Sequence, residues 1–201
     1  MGSTSRWARL GNHVLEAAIA LAMLLVGLFG ALFPVLGVTG PLPPTDTREV
    51  QLNAPATLPG TAPAGPMALR GTHDAVLIFT DPSFADRLLL ALPTLAGNLL
   101  LMAALSILLR VARTFRDGDF FVPANAPRLF AIAAIVTSSG LVVPLADMIT
   151  TDLLVSGTEV AQSIRTVFEF EFPLLLGLLI AAAAMTFRNG IRLRTDTEGL
   201  V

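Results

Sequence analysis

Four long apolar runs constrain this chain more than any other feature. They cover approximately residues 14–38, 88–110, 129–152 and 168–187. An α-helix rises about 1.5 Å per residue, so each run is long enough to cross a bilayer core of roughly 30 Å. Composition agrees, because 54% of the residues are hydrophobic and only 14% are charged. The sequence therefore predicts an all-α integral membrane protein, a single domain (1–201) built as a bundle of four transmembrane helices.

The first run exceeds the roughly 7–15 apolar residues of a signal peptide, which predicts a retained transmembrane helix. Nine of the 13 basic residues, all of them arginines, fall on one side of the membrane if the N-terminus is cytoplasmic. Arginine-rich loops stay in the cytoplasm, so both termini are expected there. The absence of lysine together with abundant alanine is typical of a GC-rich bacterial genome. We therefore expect a multi-pass protein of the bacterial plasma (inner) membrane.

The segment between the first two spans, residues 39–87, is expected outside the cytoplasm and is rich in proline and glycine. Most of it disfavours regular helix. Two pieces have strand-like composition, Glu49 to Leu52 and Met67 to Thr80. Two short strands without a covering core are marginally stable. The segment is therefore either a short extracytoplasmic β-ribbon or an irregular surface loop.

Polar side chains near the middle of the spans predict contacts between helices. Asn98 lies in the second span, and Ser138 and Ser139 lie in the third. An amide in hydrocarbon needs a hydrogen-bond partner, so Asn98 is expected to face the bundle interior and bond the third helix. We interpret this polar contact as structural and not as a transport site.

The fourth span begins with the alternating sequence VFEFEFP. A start at Pro173 would leave only about 15 residues before Phe187, which is too short to cross a bilayer. The helix is therefore expected to begin near Val167 or Phe168.

An acidic outer rim is expected where the third and fourth spans approach the extracytoplasmic surface. Carboxylates there either bind a hard cation or cap helices and remain solvated. The residues that form this rim are Asp147, Asp152, Glu169 and Glu171.

No catalytic or metal-binding constellation is predicted. Cysteine is absent, and the two histidines, His13 and His73, fall on opposite sides of the membrane in the predicted topology. The chain has neither a phosphate-binding glycine loop nor a hydrolase motif. We therefore expect a protein that is not an enzyme and that has no cofactor and no metal site.

The loop between the second and third spans, residues 111–128, combines arginines with exposed aromatic residues. Its physical chemistry suits an amphipathic elbow at the bilayer surface, with Asn125 as a helix cap, or a docking surface for a soluble partner. Its sequence GDFFVPANAPRL resembles the cytoplasmic loop of the bacterial DUF2975 membrane proteins, and the tail FRNGIRLRTDTEGLV is similar to the ending of that family. The matching positions are Gly118, Phe121, Asn125, Arg128 and Leu129 in the loop, and Phe187, Gly190, Leu193, Glu198, Leu200 and Val201 in the tail.

The resemblance implies a four-span membrane protein with no assigned catalytic residues. Members of that family are often encoded beside a small helix-turn-helix regulator, which implies a soluble transcription factor as partner. Both motifs are expected on the cytoplasmic face, so we expect the loop and the tail (188–201) to pack together as one cap.

Two functions are favoured by the sequence, and a third, an intramembrane enzyme, has no motif that supports it. The first is a non-enzymatic regulatory or sensory protein, embedded in the lipid bilayer, whose loop and tail bind a cytoplasmic regulator without direct nucleic-acid binding. The second is a small transporter or channel subunit that works as a homo-oligomer. The lack of charge in the middle of the spans argues against ion-coupled transport.

Overall fold

Four helices in the described part of the chain are long and apolar enough to cross a membrane, as the apolar runs predict. The computed structural model describes residues 4–56, 71–116, 122–166 and 172–198. The four candidate spans are His13–Thr39, Phe84–Phe115, Asn125–Val155 and Phe172–Leu193.

The helices extend beyond the apolar runs that predict them. The second helix reaches Arg116 and the third begins at Asn125, so part of the predicted loop 111–128 is helical. Hydropathy marks only the part of a helix that suits hydrocarbon, and a helix that continues into water keeps its backbone hydrogen bonds. In chain order the elements are α1 Thr4–Leu25, a π-helical segment Val26–Leu32, α2 Phe33–Thr39, β1 Thr47–Leu52, β2 Asp74–Ile78, α3 Phe84–Arg116, α4 Asn125–Val155, a 3₁₀ turn Glu159–Ser163, β3 Ile164–Arg165 and α5 Phe172–Glu198.

The π-helical segment interrupts the first span directly before a proline. Pro34 has no backbone N–H, and its ring crowds the carbonyl of the preceding turn, at Gly30. A local change to wider turns relieves this crowding while the other backbone groups stay bonded. The span ends at Thr39, and the next residue is Gly40, whose φ of +108° suits glycine and whose N–H donates to the carbonyl oxygen of Leu36 at 3.0 Å.

The predicted limits of the fourth span require correction at its C-terminal end. The predicted helix start at Val167 or Phe168 lies outside the described residues, and the described helix begins at Phe172. That prediction assumed that the helix ends near Phe187, but α5 continues to Glu198. Residues 188–198 of the predicted tail (188–201) are therefore helical, and the candidate span Phe172–Leu193 has 22 residues, which is enough to cross a bilayer.

A small antiparallel sheet is present, in agreement with the strand-like composition of the segment 39–87. Strand β1 pairs with β2 in a register that sets Arg48 opposite Leu77 and Val50 opposite Ala75. A third strand, β3, pairs with the other edge of β1, so the order is β2-β1-β3. The sequence did not predict β3, because two residues are too few to leave a period-2 pattern.

The chain divides into two compact units, and each break within α3 or α4 falls at a proline, where the helix lacks a hydrogen bond. The first unit comprises Met1–Phe33, Thr94–Val143 and Phe170–Val201, and the second comprises Pro34–Pro93 and Pro144–Glu169. The whole sheet belongs to the second unit.

Helices α4 and α5 approach closely in the first unit at Gly177. A Cβ atom at this position would overlap the Oγ1 atom of Thr137 and would lie 3.1 Å from the carbonyl oxygen of Ala133. Only a glycine permits this separation of the two backbones, as is common between transmembrane helices.

Candidate functional site

A buried arginine on β1 is the most highly connected polar side chain in the described second unit. Only 7% of Arg48 is exposed, although it lies in a segment expected outside the bilayer core. Its guanidinium contacts two different helices, α3 and α4. We refer to Arg48 and its partners as the Arg48 cluster; the partners are Asp147, Thr150, Thr151 and the carbonyl groups of Leu89 and Leu90.

The Nη1 atom of Arg48 is directed at α4. It forms an ion pair with the Oδ1 atom of Asp147 and donates to the Oγ1 atom of Thr150 at 3.2 Å and of Thr151 at 3.4 Å. The Thr150 hydroxyl donates in turn to the carbonyl oxygen of Ala146 at 2.7 Å, so its oxygen is oriented to accept from the arginine. Thr150 is 1% exposed, and this chain of hydrogen bonds satisfies its hydroxyl group.

The Nη2 atom of Arg48 is directed at the backbone of α3. It donates to the carbonyl oxygens of Leu89 at 3.0 Å and Leu90 at 3.2 Å. In a regular helix the carbonyl of Leu89 would accept from the N–H four residues later, but that residue is Pro93, which has no N–H. The proline therefore frees an acceptor inside the helix, and the guanidinium supplies the missing donor.

Local structure explains why β1 directs Arg48 toward the helices. Side chains alternate along a strand, so Arg48, Val50 and Leu52 share one face. Arg48 is buried, whereas its neighbours Thr47 and Glu49, on the other face, are exposed.

The N-terminus of α3 is held by a reciprocal cap, in which Ser83 N–H donates to the Asp86 carboxylate at 2.9 Å and Asp86 N–H donates to Ser83 Oγ at 3.3 Å.

The Arg48 cluster suits mechanical coupling and not proton transfer. A guanidinium offers only hydrogen-bond donors and no acceptor. Its planar fork lets one side chain contact a carboxylate, two hydroxyl groups and two carbonyl groups at once. A displacement of β1 would therefore pull on α3 and α4 together.

The predicted acidic rim is not brought together in the described part of the chain. Asp147 pairs with Arg48, its side chain being 49% exposed. Asp152 is exposed, and Glu169 and Glu171 lie outside the described residues. Among the described residues, no three acidic or histidine side chains are grouped so that they could hold a metal ion.

The predicted hydrogen bond between Asn98 and the third helix is wrong. Asn98 Nδ2 donates to the carbonyl oxygen of Thr94 on its own helix at 2.8 Å. Its Oδ1 atom packs against Gly30 of the π-helical segment, where a Cβ atom would overlap it. The residues that were expected to pair with it are also engaged elsewhere or exposed: Ser139 Oγ donates to the carbonyl oxygen of Val136 at 2.8 Å, and Ser138 is exposed. A short side chain reaches its own backbone before it reaches a neighbouring helix.

At the opposite end of α3, Asn125 links this helix to the start of α4. Asn125 is fully buried, and its Nδ2 donates to the Oγ1 atom of Thr114 at 2.7 Å. Its Oδ1 accepts from Nη1 of Arg128 at 3.1 Å. Asn125 was expected to cap α4, but it is the first residue of that helix, and its side chain bonds other side chains. Its backbone N–H donates to the carbonyl oxygen of Val122 at 2.9 Å.

A described contact joins α4, directly after the loop motif, to the predicted tail. The guanidinium of Arg188 on α5 lies over the ring of Phe130 on α4, 5.5 Å from the ring centre. This distance allows a cation–π interaction. Of the remaining motif residues, Leu129, Phe187 and Gly190 are half-buried and Leu193 is exposed, whereas Gly118 and Phe121 lie outside the described residues.

Sequence reasoning missed the role of Arg48, which was counted only as a charge for topology. A signal was present, because the strand places this arginine on the same face as Val50 and Leu52. An arginine on the apolar face of a strand needs buried acceptors, and the proline inside the following span indicates where one is free.

Comparisons of the chain with protein-family models, with curated proteins and with solved structures find no match.

Proposed function

We propose that this chain is a non-enzymatic regulatory or sensory protein of the bacterial plasma membrane, with both termini in the cytoplasm. In this proposal the segment 39–87 responds to a condition outside the cell. The surface formed by the loop and tail binds a soluble partner such as a helix-turn-helix regulator. The observation that carries the proposal is the Arg48 cluster, in which one strand side chain holds two membrane-spanning helices.

The Arg48 cluster gives the proposal its mechanism. The guanidinium of Arg48 donates five hydrogen bonds, so a ligand that moves β1 must strain or break several of them together. Charge-assisted hydrogen bonds in a partly desolvated site favour one arrangement over intermediate ones. Helices α3 and α4 would receive the displacement, and the same two helices carry Thr114 and Asn125 near their other ends.

The resemblance to the DUF2975 family supports a soluble regulator as the partner. A transporter is less well supported, because the middle of the described spans carries no charged side chain.

Affinity purification of the tagged full chain in a mild detergent, followed by mass spectrometry, tests the partner. The variant Phe121→Ala, Arg128→Ala is compared with the control Phe84→Ala, Arg165→Ala, which changes the same residue types at exposed positions of the second unit. A soluble DNA-binding protein recovered with the wild type and the control, and lost with the variant, is the expected result. Recovery of a homo-oligomer alone, together with solute flux in reconstituted vesicles, would replace this proposal with the transporter.

A labelling experiment tests the coupling between the two ends of the helices. The chain has no cysteine, so Ala124→Cys introduces a single exposed thiol at the start of α4. Coupling predicts that Arg48→Met changes the maleimide labelling rate at this position, whereas Arg165→Met does not. Identical rates in all three proteins would contradict the proposed mechanism.

A further inference from the structure

The bond between Thr114 and Asn125 fixes how the ends of α3 and α4 face each other. Asn125 Nδ2 donates to Thr114 Oγ1 at 2.7 Å, so these two side chains point from one helix to the other. The two helices run in opposite directions away from this bond, because α3 ends at Arg116 and α4 begins at Asn125. Other side chains near this end can therefore be placed by helical geometry.

Three arginines project from the same side of this helix pair. Each helical residue turns about 100°, so Arg110 lies about 40° from Thr114 around α3, and Arg128 lies about 60° from Asn125 around α4. Because the helices are antiparallel, these rotations carry both side chains to one side of the plane that contains the helix axes. Arg113 lies on that side as well, about 100° from Thr114. Arg110 and Arg113 are exposed, and Arg128 is half-buried.

The acidic side chains on α3 and α4 are too distant to neutralise these arginines; the first unit also contains Glu16 on α1, and Asp117 and Asp119 lie in the adjoining loop, outside the described residues. The acidic residue of α3 is Asp86, 24 positions before Arg110, and the nearest one on α4 is Asp147, 19 positions after Arg128. At about 1.5 Å per residue the shorter of these separations is roughly 28 Å. Charges that far apart are effectively screened by salt at an exposed surface.

An apolar stripe continues from the arginines toward the middle of α3. Leu99 and Ala103 stand 11 and 7 positions before Arg110 and lie close to the same helical face. Leu99 is 59% exposed, whereas Ala103 and the intervening Ser106 are half-buried and short. The face thus pairs a cationic end with a stripe of small side chains that ends at one exposed leucine.

We propose that Arg110, Arg113 and Arg128 bind the phosphate headgroup of an anionic phospholipid, whose acyl chain lies along the stripe at Leu99. Guanidinium groups bind phosphate through paired hydrogen bonds. Asn125 holds Nη1 of Arg128 and so limits the freedom of this side chain, which lowers the entropic cost of binding. A lipid is favoured over a soluble phosphate because the three arginines stand at the ends of two candidate membrane spans.

The test measures binding of phosphatidylglycerol to the purified full chain in detergent by native mass spectrometry, with phosphatidylcholine as the zwitterionic reference. The variant is Arg110→Gln, Arg113→Gln, which leaves the bond between Arg128 and Asn125 in place. The matched control is Arg165→Gln, Arg192→Gln, which removes the same charge from exposed positions outside α3 and α4. A third protein, Arg110→Lys, Arg113→Lys, keeps the charge but not the paired hydrogen bonds.

We expect the glutamine variant to bind phosphatidylglycerol more weakly by about fivefold for each arginine removed, since a basic residue near an anionic surface contributes roughly that factor. The lysine variant should bind with intermediate affinity, and the control should keep most of its affinity. Equal losses in variant and control, or no loss in either, would overturn the proposal. Protection against thermal unfolding by inorganic phosphate equal to that by the lipid would also overturn it. If the glutamine variant fails to fold, Arg113→Gln alone is expected to show the single fivefold loss.

Discussion

The Nη2 atom of Arg48 lies 3.0 Å from the carbonyl oxygen of Leu89, the acceptor that Pro93 leaves without a helical donor. A proline inside a membrane helix normally leaves a backbone group to be satisfied by a neighbour or by water. Here the neighbour is a side chain from a strand, which also pairs with Asp147 on the next helix. The sheet, α3 and α4 are thereby joined at one point in the second unit.

Replacing Arg48 with methionine should lower the free energy of unfolding by about 2–3 kcal/mol. The substitution removes hydrogen bonds from a charged donor and leaves Thr150 and the carbonyl of Leu89 without this partner. The side chain of Asp147 is half exposed and stays hydrated when Arg48 is removed, which limits the loss of folding stability. Reversible unfolding by sodium dodecyl sulfate in mixed micelles measures the change.

The matched control for this substitution is Arg165→Met. Arg165 is an exposed arginine of the same sheet, opposite Gln51 on β1. Its replacement should change stability by no more than about 0.5 kcal/mol. A loss at Arg165 as large as that at Arg48 would mean that the buried contacts of Arg48 contribute nothing specific.

Replacing Pro93 with alanine should weaken the contribution of Arg48. Alanine supplies the N–H that the carbonyl of Leu89 lacks, so the arginine then satisfies a group that is already bonded. In the Pro93→Ala protein, Arg48→Met is expected to lower the free energy of unfolding by about 1 kcal/mol less than it does in the wild type. A double-mutant cycle measures this coupling directly. The corresponding cycle with Pro144→Ala should be close to additive, and equal coupling to both prolines would argue against this specific acceptor.

Sequence alone anticipated those features of the fold that have local causes. A run of apolar residues of sufficient length specifies a helix that is long and apolar enough to span a membrane, and strand-like composition indicated β1 and β2. The partners of Asn98 and Arg48 were not anticipated, because they depend on how helices rotate and on which backbone acceptors are free. For Asn98, the nearest acceptor was the carbonyl of Thr94 on its own helix, and the small residue it packs against belongs to the first span and not the third.

Because Gly30 contacts Asn98, we predict that a side chain at position 30 of the π-helical segment destabilises the protein. Gly30→Ala should destabilise the protein by about 2 kcal/mol, because the added methyl group overlaps Asn98 Oδ1. Gly27→Ala in the same segment is the control, since its Cβ atom would stand 3.6 Å from Met102 Cε, an ordinary contact. Unfolding in mixed micelles should separate the two variants, and a second substitution, Asn98→Ala, should restore much of the loss at Gly30. Failure of that rescue would place the strain elsewhere.

Removing the buried amide of Asn125 should separate the adjoining ends of α3 and α4. Asn125→Leu leaves the hydroxyl of Thr114 and Nη1 of Arg128 without their partner in a site that water reaches poorly, and it should cost about 2 kcal/mol. Asn189→Leu, at an exposed position on α5, is the control and should be nearly neutral. Limited trypsin digestion offers a second measure, because cleavage after Arg116 should accelerate only in the Asn125 variant. Equal digestion of both variants would show that this side-chain bond does not hold the helix ends together.

The proposed orientation predicts opposite labelling at the two ends of α4. Single cysteines at Ala124 and Ser156, both exposed, can be introduced into a chain that has no other thiol. If both termini are cytoplasmic, a maleimide that cannot cross membranes should label Ser156→Cys in intact bacterial cells and should label Ala124→Cys only after the membrane is permeabilised. The arginine distribution is the physical reason, because the membrane potential and anionic lipids retain basic loops in the cytoplasm. Labelling of Ala124→Cys in intact cells, with protection of Ser156→Cys, would invert the topology and place the sheet in the cytoplasm. The Arg48 cluster would then receive its signal from a cytoplasmic ligand and not from outside the cell.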